Sequence, residues 1–277
     1  MKLKFYKFQA TGNDFILLDN LMKRTFLNRL QVIKLCDRRF GIGADGILFL
    51  LRPKNPKADF RMRILNADGT EAEMCGNGIR ALAKYIYLTG LSREKTLWIE
   101  TLAGLIKIEK KANLYRVAIG KPNFSPEKIP VKSTNPVIKK KIKVLGQELR
   151  ISCLSVGNPH CIIFVKELDT IPIKELGPKI EHHRLFPNRT NVEFVQMLAP
   201  NQLKVRVWER GAGETLACGT GACASLACAH YLGLAEPQAD VLLPGGNLTV
   251  ELRDDICYLL GPAELVYTGE FEPEKFK

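Results

Sequence analysis

Short apolar runs and alternating segments dominate the chain, and two longer stretches have helical spacing. The apolar runs FILLD and CIIFV each follow a Gly-Asn pair, and the runs RMRIL and KVRVW come later in each half. Runs of this length and pattern are typical of strands. Residues 78–88 and 221–232 instead predict helices, which end near Gly90 and Gly233, both suited to helix C-caps. The pattern favours an α+β fold in which strands outnumber helices.

Several features recur in the same order at an almost constant spacing of 142 to 145 positions, which indicates a duplicated unit. We therefore predict two pseudo-symmetric domains, each a curved, mostly antiparallel sheet around a central helix. The matching positions are Gly12-Asn13 with Gly157-Asn158, Arg63 with Arg206, Asn66 with Glu209, Glu71 with Glu214, Cys75-Gly76 with Cys218-Gly219, Gly78 with Gly221, and Gly104 with Gly246.

The predicted domains are residues 1–120 and 121–263. A Pro- and Lys-rich stretch from Lys121 to about Pro136 is the candidate linker between them. The last strand, AELVYTGEF, lies within 264–277 and is a candidate for returning to the first domain.

Composition and charge exclude some classes of protein. The chain has 277 residues, 46% of them apolar, and a formal net charge of +12. The densest basic run, Lys139–Lys141 with Lys143 beyond it, lacks interleaved aromatic residues and predicts a solvated surface rather than a nucleic-acid site. No apolar run approaches the length of a membrane span. The N-terminal MKLKFYKFQATGND predicts a first strand rather than a signal peptide, so we expect a cytoplasmic protein.

The eight cysteines show neither a CxxC motif nor a Cys/His cluster with zinc spacing, so no metal site is expected. In a reducing compartment they are expected to be unpaired. Six of them predict ordinary packing as small apolar residues: Cys36, Cys153, Cys161, Cys223, Cys228 and Cys257.

The other two cysteines stand at the start of the two predicted helices, in MCGNGIRA and ACGTGACA. A helix N-terminus offers unpaired N–H donors and a positive dipole end, which bind anions and lower the pKa of a thiol. If Cys75 and Cys218 flank one bound carboxylate, one thiolate can remove the α-proton while the opposite thiol donates a proton. The pattern predicts inversion at a carbon next to a carboxylate.

Other readings of these glycine motifs stay open. Residues 41–46 match GxGxxG, but the strand-like ILFLL follows them, which disfavours a dinucleotide fold. Residues 76–81 and 219–224 match GxGxxA and could bind phosphate, which would make the chain a non-enzymatic anion-binding module. His160 can be a packed residue or part of the chemistry. Glu209 and Arg210 can form a surface ion pair, or they can recognise an amine and a carboxylate, respectively.

Over almost its whole length the chain resembles the diaminopimelate epimerase family. The likeness is carried by TGNDFILLDN, DRRFGIGADG, RILNADGTEAEMCGNG, SVGNPHC, RTNVEFVQ and VRVWERGAGETLACGTGACA. It implies interconversion of LL- and meso-diaminopimelate for lysine and cell-wall precursors, without pyridoxal phosphate, a metal or any other cofactor. It also implies Cys75 and Cys218 as the acid/base pair.

The resemblance implies roles for further residues. The α-carboxylate is expected on the backbone of Gly76-Asn77 and Gly219-Thr220, and the reacting amino group by Asn13. Glu209 and His160 are expected to assist at the reacting centre or to tune the sulfurs. The distal end of the substrate is expected to be held by Asn66, Asn158, Asn191 and Arg210.

Two departures from the family pattern bear on substrate affinity. Some members carry glutamine where this chain has Gly46, and residues 9–11 are less glycine-rich than is common. Neither departure touches the chemistry.

A racemase for another amino acid, such as proline or hydroxyproline, stays an alternative. The expected partner is a small-molecule substrate, with no nucleic acid and no membrane, and a homodimer is a further expectation.

Overall fold

The computed structural model describes residues 2–22 and 25–276, which divide into two compact units. The first consists of residues 1–117 and 261–277, and the second of residues 118–260. The last strand of the chain therefore belongs to the first unit, where it pairs antiparallel with the first strand.

The first unit is a mixed sheet with a helix on each face. Its strands lie in the order β18-β1-β2-β3-β4-β6-β7-β8, with the short β5 also on β4, and only β2–β3 and β4–β6 are parallel. Its elements are β1 (Leu3–Ala10), β2 (Asn13–Asp19), α1 (Arg29–Cys36), β3 (Gly46–Leu51), β4 (Phe60–Asn66), β5 (Glu71–Ala72), α2 (Gly76–Leu88), β6 (Thr96–Thr101), β7 (Gly104–Lys111), β8 (Leu114–Gly120, which crosses the unit boundary) and β18 (Glu264–Phe271).

The second unit repeats this arrangement. Its strands lie in the order β9-β10-β11-β12-β13-β15-β16-β17, with the short β14 on β13, and only β11–β12 and β13–β15 are parallel. Its elements are β9 (Lys140–Val144), β10 (Gln147–Ser155), β11 (Pro159–Phe164), α3 (Ile173–Glu181), β12 (Asn191–Ala199), β13 (Gln202–Glu209), β14 (Gly213–Thr215), α4 (Gly219–Tyr231), β15 (Gln238–Leu243), β16 (Gly246–Arg253) and β17 (Ile256–Gly261). Short 3₁₀ turns lie at Pro126–Lys128 and Pro273–Phe276.

The central helices α2 and α4 are equivalent residue for residue at an offset of 143. Each is apolar around most of its surface because its own sheet covers it. In α4 this covering buries every residue from Gly221 to Ala229. The outer helices α1 and α3 pack on the opposite faces of the two sheets, in separate apolar clusters. The parallel β2–β3 pairing aligns Phe15 with Gly46, and β11–β12 aligns His160 with Asn191, both shifted by 145.

Three local expectations need correction. Both central helices begin two residues earlier than predicted, at Gly76 and Gly219, because each cysteine itself is the N-cap. The expected linker, Lys121–Pro136, is part of the second unit, where Ile129 and Val131 pack into the cluster around α3. The expected lowering of the pKa of the Cys218 thiol is also wrong, because burial raises that pKa.

The structure confirms three further sequence predictions, which concern residues 41–46, the basic run and the six packed cysteines. The GxGxxG stretch at 41–46 leads from α1 into β3 rather than into a helix, which is incompatible with a dinucleotide-binding turn. The basic side chains of Lys139–Lys141 and Lys143 are exposed. The six cysteines expected to pack as apolar residues are all buried. Among the described residues, no helix combines the length and the apolar character that a membrane crossing requires.

Candidate active site

In the first unit, Cys75 is the N-cap of α2. Its backbone is extended, with φ −140° and ψ 119°, and Sγ accepts a hydrogen bond from the Gly78 N–H at 3.4 Å. Sulfur is a weak acceptor, and Ser, Thr, Asn and Asp are the preferred caps. The cysteine is therefore a poor choice for helix stability, which points to a chemical reason for its presence. Its side chain is partly exposed.

Asn13 contacts both Cys75 and the first turn of α2. Its Oδ1 lies 3.7 Å from the Cys75 Sγ and accepts a hydrogen bond from the Asn77 Nδ2 at 3.3 Å. Its Nδ2 donates to the Asp45 carboxylate at 2.7 Å. The amide is thereby oriented with its oxygen toward the thiol.

A charged cluster supports Asn13 from behind. Arg38 bridges Asp14 and Asp45, at 2.6 Å and 2.8 Å, and the buried Lys7 contacts Asp14 at 2.6 Å and also donates to the Gly43 carbonyl. Burial works to raise the pKa of Asp14, but the hydrogen bonds from Arg38 and Lys7 outweigh it and hold that pKa well below its usual value. The cluster keeps Asp14 ionised, and Arg38 holds the Asp45 carboxylate through Oδ1, which leaves Oδ2 to accept from Asn13.

The fully buried Arg80 supports Asn77 from within α2. Its Nη2 donates to the Asn77 Oδ1 at 3.0 Å and to the Thr11 hydroxyl at 2.8 Å. Its Nε donates to the Pro262 carbonyl at 3.2 Å. These bonds hold the Asn77 side chain in one orientation at the first turn of α2.

In the second unit, Cys218 is the N-cap of α4 in the same manner. Its φ is −116° and its ψ 112°, and Sγ accepts a hydrogen bond from the Gly221 N–H at 3.3 Å. The Thr220 hydroxyl lies 3.4 Å from Sγ and also accepts a hydrogen bond from the Asn158 Nδ2 at 3.2 Å. Asn158 and Thr220 thus occupy the places that Asn13 and Asn77 hold in the first unit.

The electrostatic expectation for Cys218 is wrong in its sign. Burial raises the pKa of this thiol well above its ordinary value, and the charges of Glu209 and Glu193 raise it further. The Thr220 hydroxyl and the Gly221 N–H act in the opposite direction but do not compensate. The helix start does lower the pKa, as predicted, but the loss of hydration costs the thiolate more. Burial therefore favours the thiol form of Cys218.

Glu209 lies beside Cys218 at the end of β13 and forms no ion pair with Arg210. Its Oε1 accepts a hydrogen bond from the Thr215 hydroxyl at 2.5 Å, and the neighbouring Cys218 lowers the pKa of the carboxyl. Burial raises the pKa of Glu209, and the neighbouring Glu193 charge adds to this effect. A carboxyl of this kind next to a thiol is suited to tuning the thiol.

His160 is fully buried and bonded through both ring nitrogens. Nδ1 lies 2.6 Å from the Glu193 Oε1, and Nε2 lies 2.8 Å from the Asn158 Oδ1. Sequence reasoning singled out His160 and Asn158 but missed Glu193, which is also fully buried. The available signal was a carboxylate in the middle of the otherwise apolar strand NVEFV.

The residues expected at the distal end of the substrate are not all equally available. Both ends of the buried Asn191 amide are occupied, because Nδ2 donates to the Pro159 carbonyl at 2.8 Å and Oδ1 accepts from the Arg210 N–H at 2.9 Å. Asn191 therefore positions Arg210, whose guanidinium is exposed and donates only weakly to the Asn188 carbonyl at 3.4 Å. Asn66 is exposed and donates to the Thr70 hydroxyl.

Gly46, the departure from the family pattern, is tightly enclosed. A Cβ atom built on it would lie 2.6 Å from the Leu65 carbonyl oxygen, so a side chain here needs a backbone shift. Within residues 2–22 and 25–276, no three His, Cys, Asp or Glu side chains cluster closely enough to bind a metal ion. Further residues that the sequence did not single out are Asp45, Arg80 and Thr215, whose importance comes only from their contacts.

Comparisons with known proteins show which family the sequence matches. The family model described as diaminopimelate epimerase matches residues 5–125 and 152–266. The chain is 46% identical to the diaminopimelate epimerase of Acaryochloris marina, over 98% of this chain and 99% of the relative. It is 48% identical to that of Rippkaea orientalis, over 97% of this chain and 99% of the relative.

Similarity to solved structures extends to proteins of low identity and concerns the fold alone. A PhzF-family phenazine biosynthesis protein of Bacillus anthracis superposes with a TM-score of 0.67 at 19% identity, covering 98% of this chain and 99% of the other. A hydroxyproline epimerase of Agrobacterium vitis gives 0.68 at 14% identity, covering 98% and 91%. The predicted α+β fold is confirmed, and by its sequence this chain belongs to the diaminopimelate epimerase family.

Proposed function

We propose that this chain interconverts LL- and meso-2,6-diaminopimelate, in the synthesis of lysine and peptidoglycan precursors, with Cys75 and Cys218 as the two acid/base groups. The observation that carries the proposal is the equivalence of the two helix starts. In each unit a cysteine caps the central helix and an N–H of the first turn points at its sulfur. Two such sites in one chain suit a reaction that removes a proton from one face of a carbon and adds a proton to the opposite face.

The chemistry follows from the groups at each helix start. The thiolate of one cysteine takes the proton from the α-carbon, so a C–H bond breaks and an S–H bond forms. The thiol of the other cysteine gives its proton to the opposite face, and the protonation states of the two sulfurs are exchanged. The negative charge that develops passes into the α-carboxylate, where N–H donors of the first helical turns can stabilise it. The scheme uses no cofactor.

In this proposal the α-carboxylate binds to the N–H groups of Gly76-Asn77 and Gly219-Thr220. The raised pKa of Cys218 makes it the proton donor of the resting protein. Asn13 contacts the reacting amino group, and Glu209 and His160 tune the second sulfur. Asn66 and the exposed Arg210 contact the distal end of the substrate, and the partly exposed Asn158 does so through the Nδ2 hydrogen that it does not donate to Thr220. Asn191 holds the backbone of Arg210.

The test is turnover of LL-diaminopimelate by the purified protein in D₂O, without added metal or cofactor. We expect meso-diaminopimelate to appear and deuterium to accumulate at the α-carbon, observed by NMR. Proline and hydroxyproline, assayed in the same way, test the alternative substrates. Product without deuterium would contradict proton abstraction. Binding of diaminopimelate or phosphate without any exchange would instead favour an anion-binding module.

A further inference from the structure

A buried pair of polar residues lies behind the second cysteine. Glu193 on β12 and His160 on β11 are both 0% exposed and bonded to each other at 2.6 Å; we refer to them as the buried pair. The Glu193 Oε2 is also buried, and among the described residues it has no hydrogen-bond partner. A fully buried carboxylate with one oxygen unsatisfied is costly to fold, so it needs an explanation beyond packing.

The first unit shows that the fold does not need this pair. At the offset of 145, His160 corresponds to Phe15 and Glu193 to Leu48, on the equivalent strands β2 and β3. Phe15 and Leu48 pack against Gly78, whereas Glu193 packs against the equivalent Gly221. The same place under the same helix is therefore filled by apolar side chains in one unit and by a charged pair in the other.

The buried pair is connected to Cys218 by a continuous series of hydrogen bonds. The carbonyl oxygen of Asn158 can only accept, so the His160 Nε2 carries a hydrogen and donates to it at 2.8 Å. Asn158 then donates through Nδ2 to the Thr220 Oγ1 at 3.2 Å. Because Thr220 accepts this bond, its own hydrogen is available to the Cys218 Sγ at 3.4 Å. We call His160, Asn158 and Thr220 the donor chain, since every donor in it is directed toward the sulfur.

Glu193 sets the direction of this chain. With Nε2 already protonated, the His160 Nδ1 and the Glu193 Oε1 share one further proton across 2.6 Å. Without Glu193, a neutral imidazole could present Nε2 as an acceptor, the Asn158 amide could turn over, and its oxygen would draw the Thr220 hydrogen away from the sulfur.

We propose that Glu193 is a positioning residue for the reaction at Cys218, acting through the donor chain so that the Thr220 hydroxyl donates to the sulfur. The role assigned to Cys218 rests on the proposed function, but the effect on its sulfur does not. The charge of Glu193 and the hydrogen bond from Thr220 shift the pKa of the Cys218 thiol in opposite directions. The Glu193 charge alone raises the pKa of Cys218, whereas the hydroxyl at the end of the chain lowers it.

Other titratable and charged groups also face the buried pair or the Cys218 sulfur, and none of them is altered in the variants below. They are Cys161 on β11, Glu209 on β13, and Cys228 on α4, with Lys139 acting on Cys228.

The test is the double variant His160→Phe/Glu193→Leu, which gives the second unit the two apolar residues found at the equivalent positions of the first. Loss of the Glu193 charge by itself would lower the pKa of the Cys218 thiol and speed its alkylation, so a slower reaction indicates loss of the donor chain. The measurement is the alkylation rate of Cys218 by iodoacetamide between about pH 8 and 10.5, resolved by peptide mass spectrometry without substrate. We expect the rate at a given pH to fall about tenfold, as one lost donor raises the pKa of the thiol, and kcat to fall with it. An unchanged or faster rate would overturn the proposal.

A second variant, Thr220→Val, removes the last donor and leaves the buried pair in place. We expect the same fall in alkylation rate, and no further fall when the two changes are combined, because both interrupt one chain. Independent, multiplying effects would contradict coupling through Thr220. Ser225→Ala is the control, since it removes a buried hydroxyl that bonds to the Gly221 carbonyl on the same helix but lies outside the chain.

The two proposals fail separately. If the unaltered protein does not epimerise diaminopimelate, the proposed function is wrong, while the alkylation result still decides the role of Glu193. If the unaltered protein is active and the double variant keeps both its alkylation rate and its kcat, the role of Glu193 is wrong and the proposed function stands. Thermal unfolding of the double variant, expected to occur at or above the temperature of the unaltered protein, shows that it folds.

Discussion

The Oδ1 atom of Asn13 lies 3.7 Å from the sulfur of Cys75, and the Nδ2 atom of the same amide is held by Asp45 at 2.7 Å. The Asp45 contact fixes which end of the amide faces the thiol. The site in the first unit thus depends also on Asp45, which acts on Cys75 through the Asn13 amide.

The first prediction concerns this contact. Asn13→Asp places a carboxylate beside both Asp45 and Cys75, and a negative charge near a thiol raises its pKa. We expect alkylation of Cys75 at pH 8 to slow by about tenfold and kcat to fall, as measured by peptide mass spectrometry and an epimerase assay. Asn113→Asp, an exposed change in a turn, is the control for added charge. Faster alkylation of Cys75 in Asn13→Asp would show that the amide does not govern the thiol.

The second prediction concerns which cysteine reacts first. All eight cysteines lie in the described ranges; Cys75 is partly exposed and the other seven are buried. Burial raises the pKa of Cys36 and Cys228 to about 12, and that of Cys218 is also raised. Because the thiolate is the nucleophile, brief treatment with iodoacetamide should modify Cys75 first and stop turnover, with substrate slowing both. Loss of activity without label on Cys75 or Cys218 would contradict this.

The third prediction concerns the two cysteines themselves. Cys75→Ser and Cys218→Ser keep the size and the capping ability of the side chain, but a serine hydroxyl is far too weak an acid to replace a thiol. Each change should lower kcat by about 10²- to 10⁴-fold, the usual contribution of a general acid or base. Helix content and unfolding temperature should change little, because serine is a good N-cap. Near-normal turnover in either variant would exclude the two-cysteine scheme.

The fourth prediction concerns pH and the cluster behind Asn13. The folded-state pKa of Asp14 lies below its ordinary value of 3.8, so its stabilising effect is fully present above that pH and disappears as the pH falls below it. Asp14→Asn leaves the buried Lys7 without its carboxylate and should lower the free energy of unfolding by about 3 kcal/mol at neutral pH. In urea titrations, the free energies of unfolding of the variant and the unaltered protein should differ by a constant amount from about pH 5 to 7. This difference should become smaller below about pH 4. A difference that widens in acid would contradict this.

The fifth prediction compares two equivalent glycines. A Cβ atom on Gly221 would lie 2.9 Å from the Glu193 Oε1, whereas one on Gly78 would meet the Leu48 methyl at 3.1 Å. The Leu48 side chain can move slightly, but Glu193 is held by His160. Gly221→Ala should lower the free energy of unfolding by about 1–3 kcal/mol, and Gly78→Ala should change it by less than about 1 kcal/mol. Equal effects in urea titrations would show that Glu193 is not held in place.

The repeated architecture could be recognised from the chain because it rests on local patterns. Apolar alternation indicates strands wherever one face is buried, and a glycine beyond an apolar stretch marks the end of a helix. Cys75 and Cys218 could be singled out because each stands before Gly-X-Gly at the same spacing. The GxGxxG stretch could be set aside because a strand follows it. The sequence pattern predicts both helix starts two residues too late, because a cysteine is an unusual N-cap.

The domain boundaries predicted at 120/121 and 263/264 stay predictions, as do the roles given to the individual site residues. Lys121–Pro136 resembles a linker in composition but packs against α3, because its few apolar residues find a cluster that composition does not reveal.

The local sequence was thus enough to identify two equivalent cysteines at two helix starts, because neighbouring residues control backbone conformation. It was not enough to give the sign of the pKa shift at Cys218 or to find Glu193. Both depend on desolvation and on charges from β12 and β13 that lie far from Cys218 in the sequence. Phe15 and Leu48 take the places of His160 and Glu193 in the other unit. Only the packed structure shows that these side chains lie beneath the two helices that the cysteines cap.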